Sequence, residues 1–402
     1  MRILLSDYSG HPFQVQLARE LARRGNLVRH TYSAGFQTPK GNLVVDSRDP
    51  EGFEIEPVRN RKPFAKSSFL KRRSQEIEIG HALAAQVADF RPDVVISSNA
   101  PLDTQRIFQK AAQKAGARFI FWLQDIYSEA ISRVVPAKIP LAGHAVAAWY
   151  RHLEFAMLRA SDHVVAITGD FVPVITARGV DPLRVTVIEN WAPLDELAQH
   201  PRDNDWAATH MHGDALRIVY SGTLGYKHNP ALLLALAERL PQAQVHVFSE
   251  GTVADGVRDS AASQGLGNLR VHPWVPFTDL PKMLSGADIF VAVIEPEAGV
   301  YSVPSKILTY LAMGRPILAS VPLENLAARL IAEHETGFAA PPGDDGVLIE
   351  AAQQLAGDEA LRKRLGANGR NYAERAFDIS AIADAFQIIL TGGTKSPQST
   401  ET

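Results

Sequence analysis

Apolar residues recur along the chain in two alternating patterns. Short runs rich in β-branched residues predict buried strands, beginning with Ile3–Ser6. Between these runs, apolar residues return at every third or fourth position, as at Phe13, Leu17 and Leu21, and predict helices. Such alternation is typical of a mostly parallel sheet with helices on both faces, so the sequence predicts an α/β fold.

The predicted elements form two sets, separated by residues 190–214. This segment lacks apolar periodicity and is rich in Pro, Asp, Asn and His, which indicates a connection between domains. We therefore predict two doubly wound Rossmann-like domains that face each other across a cleft, with ligands at the carboxyl ends of the strands. The strands are predicted at Ile3–Ser6, Leu27–Tyr32, Val94–Ser97, Phe119–Leu123, Val164–Ile167, Val185–Ile188, Leu216–Tyr220, Gln244–Phe248, Leu269–His272, Ile289–Ile294 and Pro316–Ser320. The predicted helices include Ala82–Phe90, Thr104–Ala115, Pro230–Leu240 and Lys306–Met313.

The domain boundaries follow from the same patterns. We expect an N-terminal domain at 1–192, a linker at 193–214 and a C-terminal domain at 215–376. A helix at 377–391 is a candidate to pack back on the N-terminal domain, and the small polar residues of 392–402 predict a disordered tail.

The composition is that of an ordinary globular protein. Hydrophobic residues make up 46% of the 402 residues and charged residues 21%, which excludes low-complexity architecture for most of the chain. There is no cysteine, so disulfides, thiolate metal sites and cysteine nucleophiles are excluded. No apolar stretch approaches the ~20 residues that span a bilayer, and we expect a cytoplasmic protein, with the cytoplasmic face of the inner membrane as a further location.

Basic residues are concentrated in one part of the first half. Residues 1–200 hold 25 Lys and Arg against 21 Asp and Glu, whereas the remainder holds 16 against 23. Residues 59–73 have no acidic residue and include Phe64, Phe69 and Leu70. This combination suits an anionic membrane surface or a polyphosphate ligand, but a solvated loop before a basic helix start explains it equally well. The seven basic residues are Arg59, Arg61, Lys62, Lys66, Lys71, Arg72 and Arg73.

Two turns in the second half could hold phosphate. In one, residues 302–306 (SVPSK) open a helix, whose free N–H groups and dipole favour an anion, and Lys306 could add charge. In the other, residues 219–228 (VYSGTLGYKH) run from a strand into a glycine-containing turn, where backbone can approach a ligand closely. An ordinary capped turn is the alternative interpretation of both segments.

The first half has its own candidate chemistry at strand ends. Asp125 follows the apolar run 119–123, where a carboxylate could act as an acid or base or bind a hydroxyl. Gly10 and His11 follow the first strand, and a histidine there could titrate near neutral pH. Helix capping by Asp125 and a packing role for His11 are the structural alternatives.

The sequence motifs do not support a metal site or a hydrolase. No GxSxG elbow or HExxH motif is present, which disfavours an α/β-hydrolase. His210 and His212 lie in the polar segment, where two imidazoles are weak evidence for a metal site. We predict that no metal and no cofactor are required.

Several segments together resemble a known family, the retaining, nucleotide-sugar-dependent glycosyltransferases of the GT-B fold, family 4. The likeness extends over nearly the whole chain and is greatest to the bacterial branch that builds O-antigen, capsule and exopolysaccharide, of the colanic-acid type. The segments that carry it are 124–130 (QDIYSEA), 153–171 (LEFAMLRASDHVVAITGDF), 185–197 (VTVIENWAPLDEL), 220–228 (YSGTLGYKH), 280–291 (LPKMLSGADIFV) and, most specifically, 302–320 (SVPSKILTYLAMGRPILAS).

The resemblance implies a nucleotide sugar, UDP- or GDP-linked, bound by the C-terminal domain. The diphosphate would meet the turns at 222–225 and 304–306, with Lys227 as the cation. The base would lie near Val275 and the sugar near residues 297–303. The implied donor-binding residues are Gly222, Thr223, Gly225, Lys227, Glu250, Val275, Glu297, Ser302, Val303, Pro304, Ser305, Lys306 and Thr309.

The resemblance also implies acceptor contacts and catalysis in the N-terminal domain, chiefly by His11 and Asp125, with Gly10 beside the acceptor. Such enzymes are thought to use front-face displacement, in which the leaving phosphate helps to deprotonate the acceptor. The wider family has two glutamates eight positions apart, and here Tyr301 and Thr309 stand at those positions.

The implied function is transfer of a hexosyl or N-acetylhexosaminyl group to a saccharide acceptor, lipid-diphosphate-linked, in cell-surface polysaccharide biosynthesis. The basic residues of 59–73 would contact the inner membrane and the acceptor diphosphate. A GT-B nucleotide-sugar epimerase and a non-catalytic nucleotide- or carbohydrate-binding protein are the alternatives. Nucleic acid is not an expected partner, because the basic stretch is a single short patch.

Overall fold

The computed structural model describes residues 1–35, 40–62, 69–98, 100–138, 142–224, 230–294 and 305–393. These residues form two compact units. Unit 1 contains the chain up to Glu189 and again from Ile379 onward, and unit 2 contains Asn190–Asp378.

All strand pairs in the two sheets are parallel. In unit 1 the strands are β1 Arg2–Asp7, β2 Leu27–Tyr32, β3 Phe53–Ile55, β4 Val94–Ser98, β5 Arg118–Leu123, β6 His163–Ala166 and β7 Val185–Val187. In unit 2 they are β8 Arg217–Ser221, β9 Gln244–Phe248, β10 Leu269–His272, β11 Ile289–Val293, β12 Ile317–Ser320 and β13 Gly337–Ala340. The first sheet has the order β3-β2-β1-β4-β5-β6-β7 and the second β10-β9-β8-β11-β12-β13. The strand order reverses at β1 and at β8, and such a switch point creates a ligand-binding crevice in α/β sheets.

Helices connect the strands. They are α1 Pro12–Arg23, α2 Phe69–Phe90, α3 Leu102–Lys114, α4 Tyr127–Lys138, α5 Gly143–Ala160, α6 Phe171–Thr176, α7 Asp205–His210, α8 Ala231–Arg239, α9 Thr252–Ser263, α10 Leu280–Ser285, α11 Ser305–Met313, α12 Leu326–Glu333, α13 Asp345–Gly357, α14 Glu359–Ala376 and α15 Ile379–Leu390. The predicted α/β class with two Rossmann-like domains is confirmed. All eleven strands predicted from the sequence are present, within about two residues at their ends.

Two strands, β3 and β13, were not predicted from the sequence. β3 has only three residues, with Glu54 exposed, and β13 begins with Gly337, so neither shows a clear apolar run. The predicted helix Ala82–Phe90 is the second half of α2, because the first turns of α2 are basic and carry no apolar stripe.

The predicted linker residues pack into unit 2 and include α7. The Asn204 side chain accepts hydrogen bonds from the N–H groups of Trp206 and Ala207, each at 3.1 Å, and so caps α7. Met211 is fully buried, and Arg202 pairs with Asp288 at 2.9 Å. The polar composition of this segment therefore reflects caps and ion pairs at the edge of unit 2.

Helix α15 belongs to unit 1 although it lies at the end of the chain. It packs on α1, and its Phe386 ring lies 4.9 Å from the Trp122 ring of β5. The Arg24 guanidinium pairs with Asp384 at 2.5 Å. Residues from 394, where most of the tail was predicted, lie outside the described residues.

Candidate functional site

The end of β8 in unit 2 is held by a buried tyrosine. The Tyr310 hydroxyl accepts a hydrogen bond from the Ser221 N–H at 3.0 Å and donates one to the Ser221 carbonyl at 3.2 Å. The Tyr310 ring stacks on Phe290 with 4.1 Å between the ring centroids. Burial raises the pKa of Tyr310, so the hydroxyl stays neutral and can donate and accept at the same time.

A second tyrosine positions the next residues and a lysine. The Tyr220 hydroxyl donates to the Thr223 carbonyl at 2.9 Å and accepts from the Lys306 Nζ at 2.6 Å. The Lys306 ammonium also lies 4.1 Å from the centroid of the Tyr220 ring, close enough for a cation–π contact. The Lys306 charge is thereby fixed at the carboxyl end of β8.

Gly222, which is half-buried, lies next to the Lys306 ammonium. It has a φ of +136°, and a Cβ at this position would lie 3.4 Å from the Lys306 Nζ. Side chains are rarely found at such a φ, so the turn requires glycine. The structure thus brings together Gly222, Thr223 and Lys306, three residues that the sequence assigned to the donor site.

Other predicted donor residues have structural contacts nearby in unit 2. A Glu250 carboxylate oxygen accepts from the Trp274 N–H at 3.1 Å and so fixes the backbone beside Val275. Ser305 is the first residue of α11, and the Thr309 hydroxyl lies 3.5 Å from the Ser305 carbonyl. The predicted donor residues Gly225, Lys227, Glu297, Ser302, Val303 and Pro304 lie outside the described residues.

In unit 1 the end of β1 carries a buried carboxylate. The Asp7 side chain is completely buried and accepts hydrogen bonds from the Ser9 N–H at 3.0 Å and from the His11 N–H. With its nitrogen toward Asp7, the Gln14 amide donates to both carboxylate oxygens, at 2.6 and 2.7 Å, and accepts from the Ser98 hydroxyl. Asp7 therefore fixes the loop that carries Gly10 and His11.

His11 lies in a negative environment. Its Nδ1 is 3.4 Å from an Asp7 oxygen. Burial acts to lower the pKa of His11, but the charges of Asp7 and Asp125 and the hydrogen bonds outweigh it and leave the pKa raised. The Asp125 charge therefore contributes to the raised pKa of His11.

Asp125 precedes a turn that is tied down by Glu154. The Glu154 carboxylate, completely buried on α5, accepts from the Tyr127 N–H at 3.0 Å and from the Ser128 N–H at 2.9 Å. It thereby caps the first turn of α4 from a neighbouring helix. Burial raises the pKa of Glu154 to about 7, although the hydrogen bonds from Ser128 and Tyr127 act in the opposite direction.

The basic segment is partly neutralised in the folded chain. Arg72 lies 2.8 Å from Glu76, Arg73 lies 2.9 Å from Asp103 and Arg61 lies 3.8 Å from Glu78. These carboxylates belong to α2 and α3 and lie outside residues 59–73. Arg59, Lys62 and Lys71 are exposed, and Lys66 lies outside the described residues.

Glu154, Tyr220 and Tyr310 were not predicted as site residues from the sequence. Glu154 interrupts the apolar segment LEFAML and is the kind of lone buried acid that points to a cap. Tyr310 and Tyr220 read as ordinary core aromatics, because their hydroxyl partners are backbone groups that no pattern specifies.

Two further properties concern the described residues alone. Within these ranges, no three His, Asp or Glu side chains are grouped so that they could hold a metal ion. Among the helices that the structure describes, none is long and apolar enough to cross a membrane.

Both halves of the chain match models of one protein class. A model described as "Glycosyl transferase 4-like domain" matches residues 11–191, and a model described as "Glycosyl transferases group 1" matches residues 215–358. The first match begins after β1, and the second covers all of β8 to β13. The fold therefore consists of two Rossmann-like domains, each similar in sequence to a glycosyltransferase domain. Both matches thus support the glycosyltransferase class that the sequence resemblance implies.

Two curated bacterial proteins are similar in sequence. "Probable glycosyltransferase WbjE" of Pseudomonas aeruginosa is 22% identical over 268 residues, which are 66% of this chain and 66% of WbjE. "Putative colanic acid biosynthesis glycosyl transferase WcaI" of Escherichia coli (strain K12) is 25% identical over 235 residues, which are 56% of each chain. The chain thus spans just under two thirds of WbjE and just over half of WcaI in these matches.

A solved structure shares the fold over its full length. HepE of Anabaena, in a complex with UDP-glucose, superposes with a TM-score of 0.71 at 15% identity and covers 98% of this chain and 100% of HepE. At this identity the likeness establishes the fold.

We predict that Asp7→Asn lowers the pKa of His11. The substitution removes the negative charge that lies nearest the imidazole while keeping the side-chain volume. Titration of the His11 ring by NMR, assigned with a His11→Gln variant, measures the change. The control is Asp384→Asn, which replaces an exposed carboxylate on α15 and should leave the pKa of His11 unchanged. An unaltered His11 pKa in Asp7→Asn would contradict the electrostatic assignment.

We predict that Glu154→Gln changes the pH dependence of stability. Because folding raises the pKa of Glu154 from 4.5 to about 7, the folded state holds the proton more tightly than the unfolded chain. This contribution is fully present below pH 4.5 and is lost as the pH rises through 7. Urea unfolding at pH 5 and pH 7.5 should therefore show a smaller loss of stability in Glu154→Gln than in the wild type. Equal losses in both proteins would refute the raised pKa.

Proposed function

We propose that this protein transfers a sugar from a UDP- or GDP-sugar to a saccharide acceptor in the biosynthesis of a cell-surface polysaccharide. Three observations support the proposal: the family match in both halves, the similarity to WbjE and WcaI, and a fold shared with a protein that was solved with UDP-glucose. The single structural observation that carries it is the Lys306 ammonium beside Gly222 at the end of β8.

The donor diphosphate binds, in this proposal, at the end of β8 and the start of α11. Phosphate oxygens need positive charge and N–H donors. Lys306 supplies the charge, and Gly222 leaves room for close approach of the phosphate to the backbone. Lys227 adds a second cation, the base lies near Val275, and the sugar lies near residues 297–303. Tyr310 keeps the turn in place by holding Ser221.

The acceptor and the catalytic contacts are assigned to unit 1. His11 and Asp125 lie within electrostatic reach of each other at the carboxyl edge of the sheet, where ligands of parallel sheets bind. The negative environment raises the pKa of His11, so its imidazole holds a proton more tightly than a free histidine does. Asp125, on a turn fixed by Glu154, is the group that we assign to an acceptor hydroxyl.

The proposed reaction retains the anomeric configuration. The bond from the sugar C1 to the phosphate oxygen breaks, and the acceptor oxygen attacks the same face of C1. The acceptor proton passes to the departing phosphate oxygen, and the products are a nucleoside diphosphate and the glycosylated acceptor. In this scheme the protein needs no nucleophile, and we propose that it needs no metal or other cofactor.

The proposed acceptor is linked to a lipid diphosphate, at the cytoplasmic face of the inner membrane. The support is electrostatic: Arg59, Lys62 and Lys71 are exposed near the start of α2. A diphosphate and an anionic bilayer would both be attracted to such a surface.

Product analysis tests the proposed function. Purified protein is incubated with UDP- and GDP-sugars, with and without saccharides linked to lipid diphosphate. We expect nucleoside diphosphate to be released only when acceptor is present, and NMR to show that the product has the same anomeric configuration as the donor. Interconversion of the nucleotide sugar without acceptor would instead indicate an epimerase. Nucleotide binding without any turnover would indicate a binding protein.

We predict that Lys306→Ala weakens binding of the nucleoside diphosphate roughly ten- to hundredfold, because a hydrogen bond to a charged group contributes about 1.5–3 kcal/mol. Isothermal titration calorimetry with UDP and GDP measures the effect. The matched control is Lys363→Ala, which removes an exposed lysine of α14 in the same unit and should leave the affinity unchanged. Wild-type affinity in Lys306→Ala would remove Lys306 from the phosphate site.

A further inference from the structure

Two neighbouring helices of unit 1 expose charge of only one sign. The acidic residues of α3 and α5 are Asp103 and Glu154, and both are buried. Asp103 is bound by Arg73 and by the Tyr150 hydroxyl, at 2.9 and 2.8 Å, and Glu154 caps α4. The exposed or partly exposed basic residues of the two helices are Arg106, Lys110, Lys114, His144, Arg151, His152 and Arg159.

An aromatic side chain stands within this basic surface. Trp149 of α5 is 48% exposed, and among the described residues it is the one aromatic in the set of exposed large hydrophobic side chains. The Arg106 guanidinium lies 5.9 Å from the centroid of its ring. Arg106, Lys110 and Lys114 are spaced four residues apart, so they form one stripe along α3 that begins beside Trp149.

The end of this surface that carries Arg106 and Trp149 is close to the edge of the sheet where the acceptor site is proposed. Helix α3 begins directly after the carboxyl end of β4, and its first turn carries Asp103. The contacts of Asp103 with Arg73 and Tyr150 join the starts of α2 and α3 to α5 at that end. Trp149 is the neighbour of Tyr150 in the chain and therefore lies at the same end of unit 1.

We propose that the surface formed by Arg106, Lys110, Lys114 and Trp149 docks this protein on an anionic lipid bilayer. The inference rests on the proposed function, in which the acceptor is held in a membrane by its lipid. Lys and Arg are attracted to anionic headgroups, and a tryptophan prefers the interface between headgroups and acyl chains. An anionic bilayer would repel exposed carboxylates, and the carboxylates of both helices are buried.

The exposed tryptophan favours a bilayer over a soluble polyanion. An acidic polysaccharide or a nucleic acid would be held by the basic stripe and would gain little from an apolar ring on a helix face, whereas a bilayer offers headgroup charge and an apolar interior together. Binding that depends on both Trp149 and the lysines therefore separates the two kinds of partner.

Vesicle flotation tests the docking surface. The full chain is mixed with vesicles of phosphatidylcholine alone or with 30% phosphatidylglycerol, a composition in the range of anionic membranes. We expect binding to the anionic vesicles only, reduced by high salt. Trp149→Ala and the double variant Lys110→Ala/Lys114→Ala should each reduce the bound fraction several-fold, and Trp149→Phe should retain more binding than Trp149→Ala. The control, Lys363→Ala/Arg364→Ala on α14, should bind as the wild type does.

Three results would overturn the proposal. The first is that the Trp149→Ala and the lysine variants both bind vesicles as well as the wild type does. The second is that the wild type does not bind anionic vesicles. The third is that the protein binds heparin more strongly than vesicles and that Trp149→Ala does not change heparin binding. Circular dichroism verifies that each variant is folded. The affinity for UDP and GDP is measured in parallel, because nucleotide binding is assigned to unit 2. If the wild type binds neither nucleotide, the proposed function is contradicted. If the wild type binds a nucleotide but not anionic vesicles, the docking surface alone is contradicted.

Discussion

The two hydrogen bonds between the Tyr310 hydroxyl and the Ser221 backbone are the interaction on which the candidate donor site depends. They are made inside a stacked, fully buried aromatic pair, where the hydroxyl stays neutral and an unpaired backbone group would be costly. With Ser221 fixed, Tyr220 can hold both the Thr223 carbonyl and the Lys306 ammonium. A charge and a glycine turn thus meet at the switch point of a parallel sheet, where we propose that the donor phosphate binds.

Unit 1 uses buried carboxylates where unit 2 uses tyrosines. Asp7 and Glu154 are each surrounded by backbone N–H donors, and each fixes a loop that follows a strand end. His11 and Asp125, which stand on those loops, influence each other electrostatically. In both units a buried side chain fixes the position of a neighbouring residue that is suited to contact a ligand. Such support can hold the residues of a site in a defined geometry even when their loops lie at the surface.

The sequence predicted the parallel sheets and their strand ends because the apolar runs are long and the connections regular, as at Ile3–Ser6 and Phe119–Leu123. It also predicted Gly222, Lys306, His11 and Asp125 as site residues, because the residue type and the position after a predicted strand can both be recognised in the sequence. It did not reveal Tyr310, Tyr220 or Glu154, whose roles depend on backbone atoms distant in the chain. The ion pairs of Arg72 and Arg73 with Glu76 and Asp103 were missed because those carboxylates lie outside the basic run.

Hydrogen–deuterium exchange with and without UDP or GDP tests whether the donor binds at the end of β8. We expect slower exchange, on addition of one of these nucleotides, at the amides that follow β8, from Gly222 to Leu224, and in the first turn of α11. Backbone amides that bind phosphate or lie beneath it lose exposure when the ligand is present. Protection confined to unit 1, or unchanged exchange at a nucleotide concentration that saturates binding, would contradict the placement of the donor at the end of β8.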